Sequence, residues 1–281
     1  TTFAENRSVK TGADGSFRIT GNPSHHIQLS AVKPGVGSSQ RIPIRLFFRS
    51  QTEIEQAHLA SALVFELSKV TLEHVRARVL ANLRNVDEDL AKRVAGAMNL
   101  PLPKASAPAA TPIDLEPSPA LRIVGKYPDS LKGRKVAILV ADGSDGAIVA
   151  AVRKAVEGDG GAVFIVAPKI GGAKLADGSL LPADGQLAGS PSVLFDAVAV
   201  ILSGDGCAQL LKEGAAVDFL RDAFGHLKAI GHTREVGPLL DRAGIKSDEG
   251  VVDLSAAKPG DFLPPARTRQ WAREPAVRTL A

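Results

Sequence analysis

Cysteine, methionine, tryptophan and tyrosine each occur once in these 281 residues, and Phe, Trp and Tyr together make up only 4% of the chain. A lone thiol, Cys207, excludes an internal disulfide framework and a thiolate zinc cluster. It is compatible with a reducing compartment, and the cytoplasm is the expected location. With aromatics so scarce, Ala, Val, Leu and Gly must fill the core, which suits Ala-rich helices packed on an aliphatic sheet. No apolar run approaches the roughly eighteen residues that a membrane-spanning helix needs, so no membrane partner is expected. The opening residues, Thr1 to Asn6, lack the basic-then-apolar pattern of a secretory signal. An initiator Met is also missing, as expected of a piece of a longer protein. Neither charge sign dominates: 34 basic residues stand against 30 acidic ones, for a net charge of +4. The two signs are mixed along the chain, whereas a nucleic-acid footprint would gather the basic ones on one face, so no nucleic-acid partner is expected.

What is present divides the chain into four parts. Residues 1–44 carry turn chemistry at 12–15, at Gly21-Asn-Pro-Ser24 and at Pro34-Gly35, with Phe17-Arg-Ile19 short enough for a brief strand; they read as an extended arm. Residues 45–103 are predicted to be helical from Thr52 to Asn99. Ser50 or Thr52 can cap the first helix, whose stripe is Leu59, Leu63 and Leu67 with Ala62, Phe65 and Val70. A second helix runs through Leu72, Val75, Val79, Leu80 and Leu83. Asp87 or Asp89 starts a third, carrying Leu90, Val94 and Met98 and ending before Pro101. Residues 104–132 form a Pro-rich linker, expected to be extended because proline removes backbone donors and disfavours helix before it.

Residues 133–281 alternate strand and helix. Lys135 to Ala141, Ala162 to Ala167 and Ala197 to Ser203 are continuous aliphatic runs, the mark of strands buried on both faces. Lys174 to Leu181 reads as a hairpin with an Asp-Gly turn. Cys207 to Phe224 is predicted to be one long helix, Lys228 to Gly231 a short strand, Pro238 to Ala243 a helix, and Gly250 to Val252 a closing strand. A Pro- and Arg-rich tail with Trp271 follows. The alternation predicts an α/β fold with an open, doubly wound parallel sheet.

Ligands of such sheets bind beyond the carboxyl ends of the strands, so three turns qualify: Asp142 to Gly146, Ser203 to Cys207, and Gly231 to Thr233. Asp142-Gly-Ser-Asp-Gly146 can hold a cation or a polar ligand, or Asp145 can simply cap the next helix; the cap is the preferred reading. Its glycines are not spaced as in a dinucleotide fingerprint or a P-loop. Cys207 lies near a helix start, where a thiolate is favoured, but no His is adjacent in sequence, and an inert buried thiol is preferred. His232 follows a strand without a nucleophile beside it. His226 is expected to pack or hydrogen-bond against the last helix. His25-His26, His58 and His74 lack partners at ligand spacing, and no metal is assigned to any of the six histidines. No catalytic, cofactor-binding or metal-binding residue is assigned.

The run Arg45-Leu-Phe-Phe-Arg-Ser-Gln-Thr52, followed by Glu55-Gln56, His58, Phe65-Glu-Leu-Ser-Lys-Val70 and Asp87 to Asn99, closely resembles the C-terminal helices of haem catalases. Thr2-Phe-Ala-Glu5 echoes the same family's wrapping segment, while the rest of the arm before Arg45 matches it poorly. Residues 120–274 resemble the extra domain carried by large-subunit catalases. The resemblance rests on Leu131-Lys-Gly-Arg-Lys-Val-Ala-Ile-Leu-Val140, Asp177-Gly-Ser-Leu-Leu-Pro182, Ala188-Gly-Ser-Pro-Ser192, Phe195-Asp-Ala-Val198, Asp218-Phe219, Asp222 to Ile230 and Arg269-Gln-Trp271. That domain is similar in turn to flavodoxin-like class I glutamine amidotransferases and DJ-1/PfpI proteins. Those use a Cys at the elbow after a strand, where this chain has Gly231 and His232, so their amidase or protease chemistry is not carried over.

The resemblance implies a flavodoxin-like sheet preceded by a small all-α region. In the intact family, a haem iron in an upstream β-barrel disproportionates hydrogen peroxide to water and dioxygen. A distal His and Asn handle the peroxide, and a proximal Tyr ligates the iron. None of these maps onto this sequence, and Tyr127 lies in the linker. The chain alone is therefore expected to bind no haem and to be inactive, serving assembly and stability of a homotetramer alongside the upstream barrel. The alternative is a stand-alone DJ-1/PfpI-like small-molecule binder or chaperone-like domain built on Asp142, Cys207 and His232.

Overall fold

In the computed structural model the described residues are 31–33, 37–39, 44–108, 114–256 and 259–281. The chain forms two compact units, Thr1–Ile44 and Arg45–Ala281. In the first unit, β1 (Ala31–Lys33) and β2 (Gly37–Ser39) pair antiparallel with Val32 opposite Ser38, a short pairing within the expected arm. The possible strand at Phe17 to Ile19, the turns at 12–15, 21–24 and 34–35, and His25-His26 fall outside the described residues.

The second unit opens with four helices: α1 (Ile44–Ser50), α2 (Glu53–Ser68), α3 (Glu73–Val86) and α4 (Glu88–Ala97). The Arg45 run is thus itself helical, about two turns earlier than the capping signals suggested. Ser50 lies at the end of α1, where its hydroxyl donates to the Leu46 carbonyl at 2.6 Å. Thr52 is the cap of α2, in a reciprocal box with Glu55 that satisfies donors at the helix start. Asp87 caps α4 by accepting from the Asp89 and Leu90 amides. Phe48, Ala60, Leu67, Leu80, Leu90 and Val94 form the helical core, with Leu59, Leu63 and Val70 against it. Phe65 and Ala62 do not join it: Phe65 is 62% exposed and Ala62 faces solvent. At about 100° per residue, Phe65 sits roughly 200° around the helix from both Leu63 and Leu67. Lys69 Nζ instead lies 4.0 Å from its ring centre.

The α/β part comprises β3 (Lys135–Val140), α5 (Gly146–Gly158), β4 (Ala162–Ala167), β5 (Ala173–Lys174), β6 (Leu180–Leu181), β7 (Gly185–Gln186), β8 (Ala197–Ile201), α6 (Gly204–Leu210), α7 (Gly214–Gly225), β9 (Ile230–His232), α8 (Gly237–Ala243) and β10 (Val251–Asp253). Two short tail helices follow, α9 (Leu263–Ala266) and α10 (Glu274–Val277). Strands β5 and β6 form the expected small hairpin. The main sheet runs β10-β9-β8-β3-β4-β7 with every pair parallel. Without the two-residue edge strand β7, the order in chain sequence is 2-1-3-4-5, that of flavodoxin-like sheets.

Alternate residues of β3 enter different cores. Val136, Ile138 and Val140 pack with Val149, Val152 and Val156 of α5, while Ala137 and Leu139 pack with Leu210, Phe219 and Leu239 on the other face. Apolar layers on both faces explain why the strand reads as an unbroken aliphatic run. The helix expected from Cys207 to Phe224 is two helices. It tightens at Leu210, where Glu213 N–H donates to the Leu210 carbonyl, and restarts at Gly214. Leu210 and Val217 are seven residues apart, almost two full turns, so their spacing hides the break.

Candidate functional site

In this strand order the place for a ligand is the carboxyl edge between β3 and β8, where the winding reverses. Its walls are the loops Asp142 to Gly146 and Ser203 to Cys207. Side chains from both loops tie them together. Ser144 is fully buried; its Oγ accepts from the Ala141 amide and lies 2.7 Å and 2.6 Å from the Ala141 and Ile201 carbonyls. Ser203 Oγ donates to the Asp142 carbonyl at 3.1 Å and accepts from the Gly206 amide, capping α6. Gly143 has φ +83°, and a Cβ there would meet Ser203 Oγ at 2.7 Å, so glycine serves both the left-handed turn and the close approach. On the next strand, Thr233 Oγ1 accepts from the Leu202 amide and donates to its carbonyl. The edge is closed by its own hydrogen bonds.

The residues singled out from sequence have structural partners. Asp145 caps α5, accepting from the Ala147 and Ile148 amides. Asp142 Oδ1 accepts from the Lys174 amide at 2.8 Å, bracing the β5–β6 hairpin. The recess beside Asp142, lined by Lys169, Gly172 and Gln209, measures only about 10 Å³, room for roughly one water. Cys207 is 2% exposed inside the core, and burial pushes its thiol up from its ordinary range despite a backbone hydrogen bond, the opposite of what a nucleophile needs. His232 Nδ1 is 3.1 Å from the Thr233 carbonyl. Gly231 is packed beneath Leu254 and Phe262, with a Cβ predicted to lie 2.9 Å from Leu254 Cδ1. His226 is exposed and hydrogen-bonded to its own helix, with Nδ1 2.7 Å from the Asp222 carbonyl at the end of α7. His74 is exposed, and no group of three or more His, Cys, Asp or Glu able to hold a metal occurs among the described residues. A larger hollow of about 270 Å³ lies elsewhere, lined by Ala147, Ile148, Ala151, Val152 and Leu254 without a polar side chain.

The concentrated polar chemistry lies instead where the helices meet the linker and the tail, a seam that the sequence reading did not identify. Glu55 is buried and its carboxylate is saturated: Oε1 accepts from the Ile123 and Val124 amides at 2.6 and 2.8 Å, and Oε2 accepts from the Thr52 amide and hydroxyl at 2.7 and 2.8 Å. Burial alone would raise its pKa, but these hydrogen bonds outweigh it and hold the carboxyl below its ordinary value. Ser50 Oγ accepts from the Ser118 amide, Gln51 Nε2 donates to the Leu121 carbonyl, and Arg45 and Arg49 pair with Asp114. The linker is therefore not merely extended: it turns through a 3-10 segment at Pro119–Leu121 and is fastened to α1 and α2. The Thr-x-x-Glu spacing was visible as a cap signal, but nothing local shows that Glu55 has a second pair of donors 68 and 69 residues away.

The tail returns to the same seam. Trp271 Nε1 donates to the Tyr127 hydroxyl at 2.6 Å, joining the chain's only Trp to its only Tyr. His58 sits edge-on to Trp271 and 3.0 Å from the buried Glu274 carboxylate, which also faces Arg278. Arg273 is buried across Asp248 and the Lys228 carbonyl, while Arg267 joins Asp129 and Asp159. These ties make helices, linker and sheet one compact unit.

Two families match. The one described as "Catalase-related immune-responsive" covers residues 45–98, and the "C-terminal domain found in long catalases" covers residues 132–262. "Catalase C" of Rhizobium meliloti (strain 1021) is 46% identical over 240 residues, which is 83% of this chain and 34% of that protein. "Catalase HPII" of Pseudomonas putida is 37% identical over 241 residues, 84% of this chain and 33% of its own. "Catalase HPII" of Mycobacterium avium is 35% identical over 241 residues. The chain spans about a third of the length of these relatives. Both matched regions fall in the order and at the places where the helices and the flavodoxin-like sheet stand, and the chain belongs to the large-subunit catalase family, of which it carries the C-terminal portion.

Proposed function

We propose that this chain is the non-catalytic C-terminal part of a haem catalase whose whole form converts two molecules of hydrogen peroxide into two of water and one of dioxygen. Its own task is assembly and stability. The helices of residues 45–103 complete the catalytic core supplied by an upstream barrel, the linker of residues 104–132 fixes the next domain's position, and the sheet domain of residues 133–281 braces a cytoplasmic homotetramer. The observation that carries this reading is the seam: the residues most typical of the family, Arg45 to Glu55, spend their polar groups on the chain's own linker.

Haem does not fit the described residues. Its iron takes an axial ligand from His, Cys, Met or Tyr. Here Tyr127 accepts the Trp271 hydrogen bond, Cys207 lies in the sheet core, Met98 packs in the helical core, His58 is paired with Glu274, and His74, His226 and His232 line neither of the hollows described above. The largest hollow described above is lined wholly by aliphatic side chains. No step of peroxide chemistry is therefore assigned to this chain. The alternative of a DJ-1/PfpI-like binder would need Asp142, Cys207 and His232 in an open crevice, and the hydrogen-bonded edge and buried thiol weigh against it.

Oxygen evolution from hydrogen peroxide, with an absorption spectrum of the same sample after incubation with haem, tests the proposal. The expected result is no oxygen and no haem Soret band beyond that of free haem. Oxygen release together with a protein-bound Soret band would overturn it.

A further inference from the structure

The geometry points to an acid-sensitive clasp: the Glu55 carboxylate holds the Ile123–Val124 turn of the linker against the helices, and neutralising that one side chain opens this turn while the parallel sheet stays folded. The inference rests on how the linker is attached. Leu131 anchors its far end in the sheet core, but around the turn its apolar side chains contribute little, since Leu115 is 47% and Ile123 65% exposed and Leu121 and Val124 are only half-buried. What fastens it is polar, and the Ile123 and Val124 amides both converge on one buried oxygen, Glu55 Oε1. The other oxygen is taken by Thr52, so the carboxylate faces four donors and no acceptor. A protonated carboxyl, or the amide of glutamine, keeps one uncharged acceptor oxygen for these donors: turned to the linker it holds both amides more weakly, and turned to Thr52 it leaves them none. Buried donors left without an acceptor are expensive, and the way to relieve them is for the turn to open and hydrate.

Charged neighbours do not compensate. On α1, Arg45 and Arg49 are engaged by Asp114, and Arg49 also by Asp87 at the start of α4. On α2, His58 is engaged by Glu274 of α10. On the linker, Arg122 donates to the Ser50 carbonyl and Lys126 to the Ala120 carbonyl. Glu55 is held by hydrogen bonds alone, and its carboxyl lies below the ordinary value in the folded chain. A carboxyl depressed by folding stabilises the fold above its unfolded pKa, about 4.3, and that contribution is lost as pH falls through the lower folded value. The buried layers of the sheet are apolar and hold no carboxylate among the described residues; of the depressed carboxyls of that domain, Asp159 and Asp248 are paired with Arg267 and Arg273 of the tail.

Amide hydrogen exchange on the full chain, corrected for the intrinsic pH dependence of exchange, tests the clasp. In Glu55→Ala at neutral pH, which removes both acceptor oxygens, Ile123 and Val124 are expected to exchange on the order of tenfold faster or more, while the β3 and β8 amides keep their protection. Thr52→Val leaves Oε1 and the linker amides intact and is expected to leave Ile123 and Val124 protected, which separates the helix cap from the clasp. In the unsubstituted chain the same two amides are expected to lose protection as pH falls below about 4.3, before the sheet does. This readout stands even if the alanine variant fails to fold. Unchanged exchange at Ile123 and Val124 in Glu55→Ala and at low pH would overturn the inference, as would simultaneous loss of protection in linker and sheet.

Discussion

The helices and the sheet are held together in different ways. The sheet is packed on both faces: alternate residues of β3 enter separate aliphatic layers, and Phe219, Ile138, Leu139 and Leu220 have no more than 2% of their surface exposed. The helices have one thin core, with Leu59, Leu63, Val64 and Val79 only partly covered. They are completed by polar ties to residues far along the chain, at Glu55, Ser50, Gln51 and His58. Apolar burial is non-directional and tolerates small shifts, whereas a buried carboxylate works only with every donor in place. The sheet should therefore resist local change and the helical seam should open locally.

Cavity mutations test that contrast most strongly. Phe219→Ala is expected to lower the unfolding free energy of the whole chain by about 3–5 kcal/mol, seen as a single shift in urea unfolding with all probes moving together. Phe48→Ala, also buried, is expected to expose helix amides first and to move the sheet's transition less. Equal, fully cooperative losses would erase the distinction between the two regions.

A second effect is smaller and of opposite sign. Lys228 is 3% exposed with its Nζ on the Ser192 carbonyl, and burial, reinforced by Arg269 and only partly offset by Asp196 and Asp222, lowers its pKa to about 8. Between about 8 and an ordinary value near 10.4 the unfolded chain binds the extra proton, so stability should rise with pH across that window. Lys228→Met is expected to remove that rise and to stabilise the chain at pH 7 by as much as about 3 kcal/mol, less whatever the lost hydrogen bond contributed. Urea unfolding at pH 7 and pH 10 checks it, and an unchanged slope would mean that the charge is better solvated than its burial suggests.

The smallest expected effect is at Phe65. With 62% of its surface exposed, Phe65→Ser should change stability by no more than about 0.5 kcal/mol, measured by thermal melting. A larger loss would restore Phe65 to the helical core.

Much of the architecture was legible along the chain. The aliphatic runs at 135–141, 162–167 and 197–203 each hold a strand, the first and third ending at Val140 and Ile201, the Asp-Gly turn lies within a hairpin, and Thr52, Asp87 and Asp145 cap helices, because burial on two faces and cap chemistry leave local marks. Phe65 and the break between α6 and α7 were not legible: an apolar residue off the stripe still counts as apolar, and seven-residue spacing survives a break. The strand-end turns were legible as the sheet's carboxyl edge, but their closure was not, since Ser144 reaches the Ile201 carbonyl 57 positions away.

Local pattern was enough for the three central strands, their apolar character on both faces and most of the helices, since each rests on residues within a turn or two of one another. The family came from the resemblance of whole motifs, and α1, β7, the α6–α7 break and the tail helices were not marked. The sealed crevice, the buried thiol and the fastening of the linker were settled by folding, because each depends on a donor meeting an acceptor from a distant stretch. Glu55 is the clearest case: a cap by its spacing from Thr52, and a clasp only once Ile123 and Val124 are brought to its other oxygen.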